Sequence, residues 1–330
     1  MYNFRACARL AVKFQKLTSI TNHQSKREIK RYVAPTLREL TKRQKKQENP
    51  IVNPRSKYLD WNRNAELYAF NQRLTEKFDL ELLEQAFTHR SYVIQEEEEQ
   101  KKVGIEDPQL DILDNRELVE EGKQIAPLII DNYLSQVLPL APLECIDALR
   151  EYLLSPEILA KTASGIGSTD LILSTDFPVE GKTLANTFYA LISALNRSVD
   201  LEHTSVFVRD ILIARLVEKD LMEIWCPEEP LEILNDILDR EHRELAEPRI
   251  IAQTGANTVT PVYQIGIYSN RELLGTGFGE TIEEAQNIAA LKSLMGLFGL
   301  LDCSPPIRCD KKMSDSVAKN MPLKEWSRSN

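Results

Sequence analysis

Residues 86–92, AFTHRSY, lie between stretches with helical patterns and decide how the rest of the chain is interpreted. Just upstream, Asp79 is a typical helix N-cap and precedes a leucine-rich segment that predicts a helix over 80–87. Downstream, apolar periodicity predicts further helices, separated by short Pro or Gly breaks, over 115–138, 142–154, 156–164, 182–197 and 200–221. The sequence therefore predicts an all-α domain over residues 58–226.

The pattern changes after Pro227 and Pro230. One helix is followed by three predicted strands, over 249–253, 262–268 and 272–277, and by a last helix that opens with the capping box TIEE at 281–284. A sheet covered by two helices is a small α+β module, α-β-β-β-α, predicted over 227–301. Residues 302–330 are expected to be an irregular tail that docks only on a partner.

Composition limits the class of protein. A chain of 330 residues with 42% hydrophobic and 28% charged residues is typical of a folded globular protein of about two domains. No apolar run approaches the roughly 18 residues of a membrane span, which argues against an integral membrane protein. Five cysteines without a CxxC pair favour a reducing compartment and give no structural zinc site.

The charge is strongly divided along the chain. Residues 1–46 hold 13 of the 41 basic residues but only two of the 50 acidic ones, a net charge of +11, whereas the rest carries −20. Before Glu28 there is no acid, and basic residues recur every three to four positions among apolar ones from Arg5 to Lys16. This pattern predicts a mitochondrial presequence over 1–25, with a disordered basic N-terminus as the alternative.

A second basic stretch follows and is expected to form an extended arm over 26–57. Clustered cations on such an arm neutralise phosphates, so they are candidates for sequence-independent RNA binding. The candidates are Lys26, Arg27, Lys30, Arg31, Lys42, Arg43, Lys45 and Lys46. The alternative is a solvated tail that only keeps the protein soluble.

Two motifs carry a resemblance to known families. AFTHRSY resembles the corresponding element of ribonuclease III domains, and the later module, with PVY at 261–263, GTGFG at 275–279 and Ala289-Ala290, is similar to a double-stranded-RNA-binding domain. This order is that of bacterial ribonuclease III, and the resemblance covers about residues 60–300. It implies a multidomain protein in which an all-α ribonuclease III-like domain precedes the RNA-binding-like module.

The resemblance also implies where a catalytic Mg²⁺ would bind. The family signature ERLEFLGD aligns with RELVEEGK at 116–123, and its two metal-binding acids become Val119 and Lys123. A second element, LADxxEA, aligns with LANTFYA at 184–190 and places Asn186 and Tyr189 at the other two acids. We therefore expect no catalytic residues, no metal and no cofactor.

Two further residues bear on this expectation. Glu117 and Glu121 are four apart on one helical face and are an alternative carboxylate pair, although the facing helix offers no acid at the matching positions. His89, in the AFTHRSY loop, is expected to be a hydrogen-bonded structural histidine.

The RNA-binding-like module departs from its family in a parallel way. The family's lysine pair at the start of the last helix falls on Ile282 and Glu283, and residues 230–300 contain five basic and ten acidic residues. Because duplex RNA is gripped through its phosphates, we expect this surface to bind it weakly.

Three segments of the chain are NRELVEEG, YVAPT and PVYQIGIYSNRELLGTGFGET. They resemble one family in particular, the ribonuclease III-like mitochondrial large-subunit ribosomal proteins number forty-four. It implies a mitochondrial matrix protein that is a structural part of the ribosome and contacts ribosomal RNA and neighbouring proteins. The alternatives are an active mitochondrial double-stranded-RNA endoribonuclease and a free RNA-binding adaptor. The apolar excess of 200–221 suggests a protein-pairing surface, or else burial within its own domain.

Overall fold

The protein is represented by a computed structural model that describes residues 34–46, 54–57, 61–104, 110, 112–255, 258–301 and 320–328. The chain divides into two units, 1–53 and 54–330. The predicted presequence, 1–25, lies outside the described residues, as do Lys26, Arg27, Lys30 and Arg31.

In the first unit, the structure describes one helix, α1 (Ala34–Lys46). The prediction of an extended arm over 26–57 is therefore wrong for these residues. After Pro35, which is tolerated in a first helical turn, the segment consists mainly of Leu, Arg, Lys and Gln, all good helix formers. An ion pair of 3.9 Å joins Arg43 Nε to Glu39 Oε1, one turn earlier. Thirteen helical residues span about 20 Å.

Helices make up most of residues 61–224, which confirms the all-α prediction. They are α2 (Arg63–Leu74), α3 (Leu80–Phe87), α4 (Arg90–Val103), α5 (Arg116–Val137), α6 (Leu143–Leu153), α7 (Pro156–Gly165), α8 (Gly181–Ser198), α9 (Leu201–Ile211), a 3-10 helix (Ile213–Glu218) and α10 (Leu221–Ile224). We call this part the nuclease-like domain. In the described part of the chain, no helix is long and apolar enough to cross a membrane.

Helix α8 is the centre of this domain. Ten of its side chains are buried, on more than one face, and it packs against α3, α5, α7 and α9. A helix that is apolar on most of its circumference must be covered by neighbours on several sides, as is observed. The two helices of interest for function, α5 and α8, therefore lie side by side in the core.

The single helix predicted over 200–221 is broken. The first part ends at Ile211, and the 3-10 helix and α10 follow it. Phe207, Val208 and Leu216 are buried in the core, whereas Leu201 and Val217 are 40% and 53% exposed. Burial within its own domain therefore accounts for most of the apolar excess that suggested a pairing surface.

The second part has the predicted α-β-β-β-α order, and we call it the RNA-binding-like module. It consists of α11 (Pro230–Arg240), β1 (Glu247–Thr254), β2 (Val262–Ser269), β3 (Glu272–Gly279) and α12 (Ile282–Phe298). The strands form an antiparallel sheet in the order β1-β2-β3. Thr281 caps α12 as predicted, its side chain accepting a hydrogen bond of 3.2 Å from the Glu284 amide.

The alternating glycines of β3 let α12 lie directly on the sheet. A β-carbon on Gly277 would come within 2.4 Å of the Ala285 carbonyl oxygen, and one on Gly279 within 2.7 Å of the Ala285 nitrogen. Any larger residue would push the helix away. The GTGFG string that suggested the family therefore serves helix–sheet packing.

The apolar core is continuous between the nuclease-like domain and the module. Trp225, which precedes α11, lies 6.0 Å from Phe298 of α12, measured between ring centroids. Residues 320–328 are irregular, as predicted, but they pack against this same junction, with Trp326 only 3% exposed. The prediction that the tail docks only on a partner is therefore wrong for these residues.

Candidate functional site

The AFTHRSY loop links α3 to α4 and is held by backbone contacts with a distant segment. Thr88 forms an isolated parallel bridge with Leu173, whose carbonyl accepts a hydrogen bond of 3.0 Å from the His89 amide. His89 Nδ1 lies 2.8 Å from Ser91 Oγ and accepts from the Ser91 amide at 3.3 Å. His89 therefore caps α4, which is the structural role expected of it.

Asn115, which the sequence analysis did not single out, ties this loop to α5. It is buried, its amide nitrogen donates to the Thr88 carbonyl at 3.1 Å, and its side chain donates to the Ala86 carbonyl at 3.3 Å. Because Asn115 immediately precedes α5, these bonds fix where the signature-bearing helix starts. Asparagine is favoured immediately before a helix, and this is the sequence signal that could have identified Asn115.

Helices α5 and α8 cross in backbone contact. A β-carbon on Gly122 would lie 2.1 Å from the Tyr189 carbonyl oxygen, a distance that no real β-carbon adopts, so only glycine fits there. Positions 119 and 123 lie on α5, on either side of Gly122, and positions 186 and 189 lie on α8. The four predicted site positions are therefore carried by the two helices that cross here.

The four side chains do not form a metal-binding set. Val119 is 6% exposed, and Tyr189 is half-buried against the core with the pKa of its phenol raised by burial. Lys123 Nζ pairs with Glu120 Oε1 at 2.8 Å on the same helix. Mg²⁺ prefers anionic oxygen ligands, and Val, Lys, Asn and Tyr supply none at neutral pH. This donor set does not fit the magnesium ion that the ribonuclease III fold implies.

The alternative pair, Glu117 and Glu121, is engaged by an arginine from the facing helix. Arg197 Nη2 lies 2.6 Å from Glu117 Oε1, and Arg197 Nε donates to Glu121 Oε2 at 2.9 Å. Ser193 Oγ donates to the same Glu121 oxygen at 2.7 Å. The Arg197 hydrogen bond is the main reason that the pKa of Glu121 lies below its ordinary value. We call these four residues the α5–α8 clamp.

In the clamp, both carboxylates are paired with the Arg197 guanidinium, a cation supplied by the protein itself. Two α8 side chains, Ser193 and Arg197, donate to Glu121, and the two glutamates raise the pKa of Arg197 above its already high ordinary value. Among the described residues, no three His, Cys, Asp or Glu side chains are grouped as a metal site. Arg197 was not predicted, because its partners lie 76 and 80 residues away in the sequence. The available signal was its i+4 spacing from Ser193.

Three of the predicted RNA-binding residues, Lys42, Arg43 and Lys46, are exposed on α1, and Lys45 also lies in this helix. Arg38, Lys42 and Lys46 follow each other at intervals of four and so share one face. A helix that presents a line of cations can contact successive phosphates of a nucleic acid.

The module presents acids where its family would present cations. The first turn of α12 contains Glu283 and Glu284. The negative charge of Glu229, just before α11, raises the pKa of Glu232 in the first turn of that helix. Bringing an RNA phosphate to such a surface adds further like-charge repulsion.

Comparison with known proteins identifies the family. Residues 62–195 match the family model described as the endonuclease domain of large ribosomal subunit protein mL44, and residues 225–328 match the double-stranded-RNA-binding domain of MRPL44. The chain belongs to the mL44 family. The second match continues past the predicted module end at 301, through the docked residues 320–328.

Several individual proteins are similar to this chain. The large ribosomal subunit protein mL44 of Caenorhabditis elegans is 29% identical over 289 residues, which cover 86% of this chain and 70% of that protein. Ribonuclease 3 of Enterococcus faecalis is 26% identical over 226 residues, which cover 66% of this chain and 91% of that enzyme. The crystal structure of the ribonuclease III nuclease domain from Campylobacter jejuni is 21% identical with a TM-score of 0.39, and the match covers 48% of this chain and 99% of that domain.

Proposed function

We propose that this mL44-family protein is a structural, catalytically inactive component of the large subunit of the mitochondrial ribosome, where it contacts ribosomal RNA and neighbouring proteins. The observation that carries the proposal is the α5–α8 crossing. The packing of a ribonuclease III-like fold is retained there, while the positions that should hold a metal carry Val119, Lys123, Asn186 and Tyr189. Hydrolysis of RNA by this fold depends on metal-bound water, and the described part of the chain offers no group of acidic side chains that would hold the metal.

The distribution of charge supports different partners for the two parts of the chain. The basic N-terminal segment, including the exposed cations of α1, is the part that would meet RNA, because the rest of the chain carries a net charge of −20. We place the presequence in residues 1–25, which would direct the chain to mitochondria and be removed there. The acidic surface of the body then remains for neighbouring proteins.

Sedimentation of a mitochondrial lysate through a density gradient tests the assignment. The chain should comigrate with large ribosomal subunits and should leave that fraction when ribosomes are dissociated and their RNA is digested. A membrane protein or a matrix enzyme of known sedimentation serves as the control for trapping. A chain that remains wholly in the light fractions of an undigested gradient contradicts the proposal.

A nuclease assay tests the loss of catalysis separately. The purified full chain is incubated with duplex RNA and either Mg²⁺ or Mn²⁺, beside a bacterial ribonuclease III as positive control. We expect no cleavage above background with either ion. Cleavage that disappears in Glu117→Gln or Glu121→Gln variants would show that the clamp acids are catalytic and that the protein is an endoribonuclease.

A further inference from the structure

We propose that residues 320–328 form a C-terminal strap that fixes the RNA-binding-like module to the nuclease-like domain as one rigid body. The strap has no regular secondary structure, yet its backbone and side chains bond to both parts. Domains joined by a short linker move relative to each other unless a large interface prevents it. The strap supplies the missing part of that interface.

The first half of the strap binds the turn between α5 and α6. The Asn320 side-chain amide donates to the carbonyls of Leu138 and Ala141, at 2.9 and 2.7 Å. The Leu143 amide in turn donates to the Met321 carbonyl at 3.0 Å. Groups at helix ends have no partner within their own helix, so these bonds satisfy part of the turn that would otherwise need water. Asn320 itself is only 9% exposed.

A second anchor follows on the same domain. The Leu323 amide donates to both carboxylate oxygens of Glu144, at 2.8 and 3.1 Å. Glu144 lies in the first turn of α6, where its negative charge is also favoured by the helix dipole. The strap is thus held at three successive points of the turn and of the helix that follows it, by the Asn320 side chain and by the backbones of Met321 and Leu323.

Trp326 joins the two domains directly. Its indole Nε1 donates to the Leu140 carbonyl of the α5–α6 turn at 2.8 Å. Its ring meets Phe298, at the end of α12, edge to face with centroids 4.8 Å apart. A buried tryptophan removes roughly 150–250 Å² from water, which makes it the main apolar contact of the strap.

The module holds the strap from the other side. Arg240, the last residue of α11, donates from Nη1 to the carbonyls of Leu323 and Trp326, at 3.1 and 2.9 Å. The Arg328 amide donates to Glu241 Oε1 at 3.0 Å. Each end of the strap is therefore bonded to a different domain, and Trp326 lies between them. Removing the strap leaves the continuous apolar core, including the contact between Trp225 and Phe298, to hold the junction.

The test measures local opening in the full-length chain by hydrogen exchange with mass spectrometry. In Trp326→Ala, we expect peptides that cover 138–146 and 230–241 to exchange about tenfold faster or more, while α8 keeps its protection. The Leu143 amide is the most direct reporter because its acceptor is the Met321 carbonyl. Small-angle scattering should show a larger maximum dimension as the module moves away. Lys324→Ala, an exposed strap position, is the matched control and should leave both readings unchanged.

A second variant with a smaller effect, Asn320→Ala, distinguishes loss of the strap from opening of the nuclease-like domain. If Trp326→Ala also loses protection in α8, the domain itself has opened, and Asn320→Ala then decides, because it removes two hydrogen bonds with little apolar surface. Faster exchange confined to 138–146 in this variant supports the strap. Unchanged exchange at the junction in Asn320→Ala, or in a Trp326→Ala variant that keeps α8 protected, overturns the proposal.

Discussion

The carbonyl oxygen of Tyr189 lies where a β-carbon of residue 122 would have to be, 2.1 Å from that atom's ideal position. Gly122 and Tyr189 therefore set the separation of α5 and α8, and they do so through backbone atoms alone. Since the packing at this point involves no carboxylate, the metal-binding acids can be replaced around it without loss of the helix crossing. Fold and catalysis are physically separable here.

Gly122→Ala should destabilise the protein. Alanine favours a helix over glycine by roughly 1 kcal/mol, but the clash with the Tyr189 backbone forces the two helices apart, and overpacking costs about 1–3 kcal/mol or more. Urea denaturation followed by circular dichroism should show a lower midpoint. Gly181→Ala is the control, because its added methyl would meet only the Ala160 β-carbon, at 3.8 Å. Equal stability of both variants and the wild type contradicts the crossing geometry.

Arg197→Ala should lower stability by on the order of 1 kcal/mol, a modest effect because the clamp side chains are partly exposed and screened by solvent. The loss should itself depend on pH. Since Arg197 lowers the pKa of Glu121, the clamp stabilises the fold above the ordinary glutamate pKa of 4.5 and loses this contribution as the pH falls through the lowered value.

Denaturation midpoints measured from pH 7 down to pH 3 check this. The difference between wild type and Arg197→Ala should shrink toward the acid end of the series. Arg249→Ala, at an exposed arginine that pairs with Glu247 on β1, controls for general loss of a surface charge. A difference that stays constant with pH would show that Arg197 acts through packing of its stem.

Apolar periodicity predicted the long helices well. It did not predict helix α4, which forms for other reasons. Helices α5 and α8 lie within about one residue of their predicted bounds because a buried face imposes a clear apolar repeat. Helix α4 was not assigned, since its sequence is a run of Glu, Gln and Lys with one buried residue. It forms through intrinsic propensity between the His89 cap and Gly104, whose φ of 103° ends it.

The site could be predicted only as far as the family motif reached. Positions 119, 123, 186 and 189 follow from the resemblance, and they lie on the two helices that cross at Gly122. Arg197 and Trp326 could not be found in this way, because their partners are far away in sequence and no local pattern marks them. Contacts of this kind depend on the packed fold.

Reinstating the acids should create a metal site. Val119→Glu alone should destabilise the protein by about 1–3 kcal/mol, because it buries an unpaired carboxylate. Combined with Lys123→Asp, Asn186→Asp and Tyr189→Glu, it should give a protein whose melting temperature rises on addition of Mn²⁺, since a ligand that binds only the folded state stabilises it. Wild type, and wild type with a chelator, should show no such shift. If Mn²⁺ does not raise the melting temperature of the fourfold variant either, the four positions do not surround one point.

The cations of α1 should contribute a salt-dependent part of RNA affinity. Lys42→Glu with Lys46→Glu removes two positive charges from one helix face, and each phosphate contact adds about 0.7–0.9 to the slope of log affinity against log salt. Binding of the full-length chain to ribosomal RNA fragments, measured at several salt concentrations, should therefore weaken and lose a slope of roughly 1–2. The matched control is Arg271→Glu on the acidic module, which should change neither quantity because this surface is expected to stay away from RNA. Equal losses in both variants would mean that the module binds RNA after all, and no loss in either would remove α1 from the RNA interface.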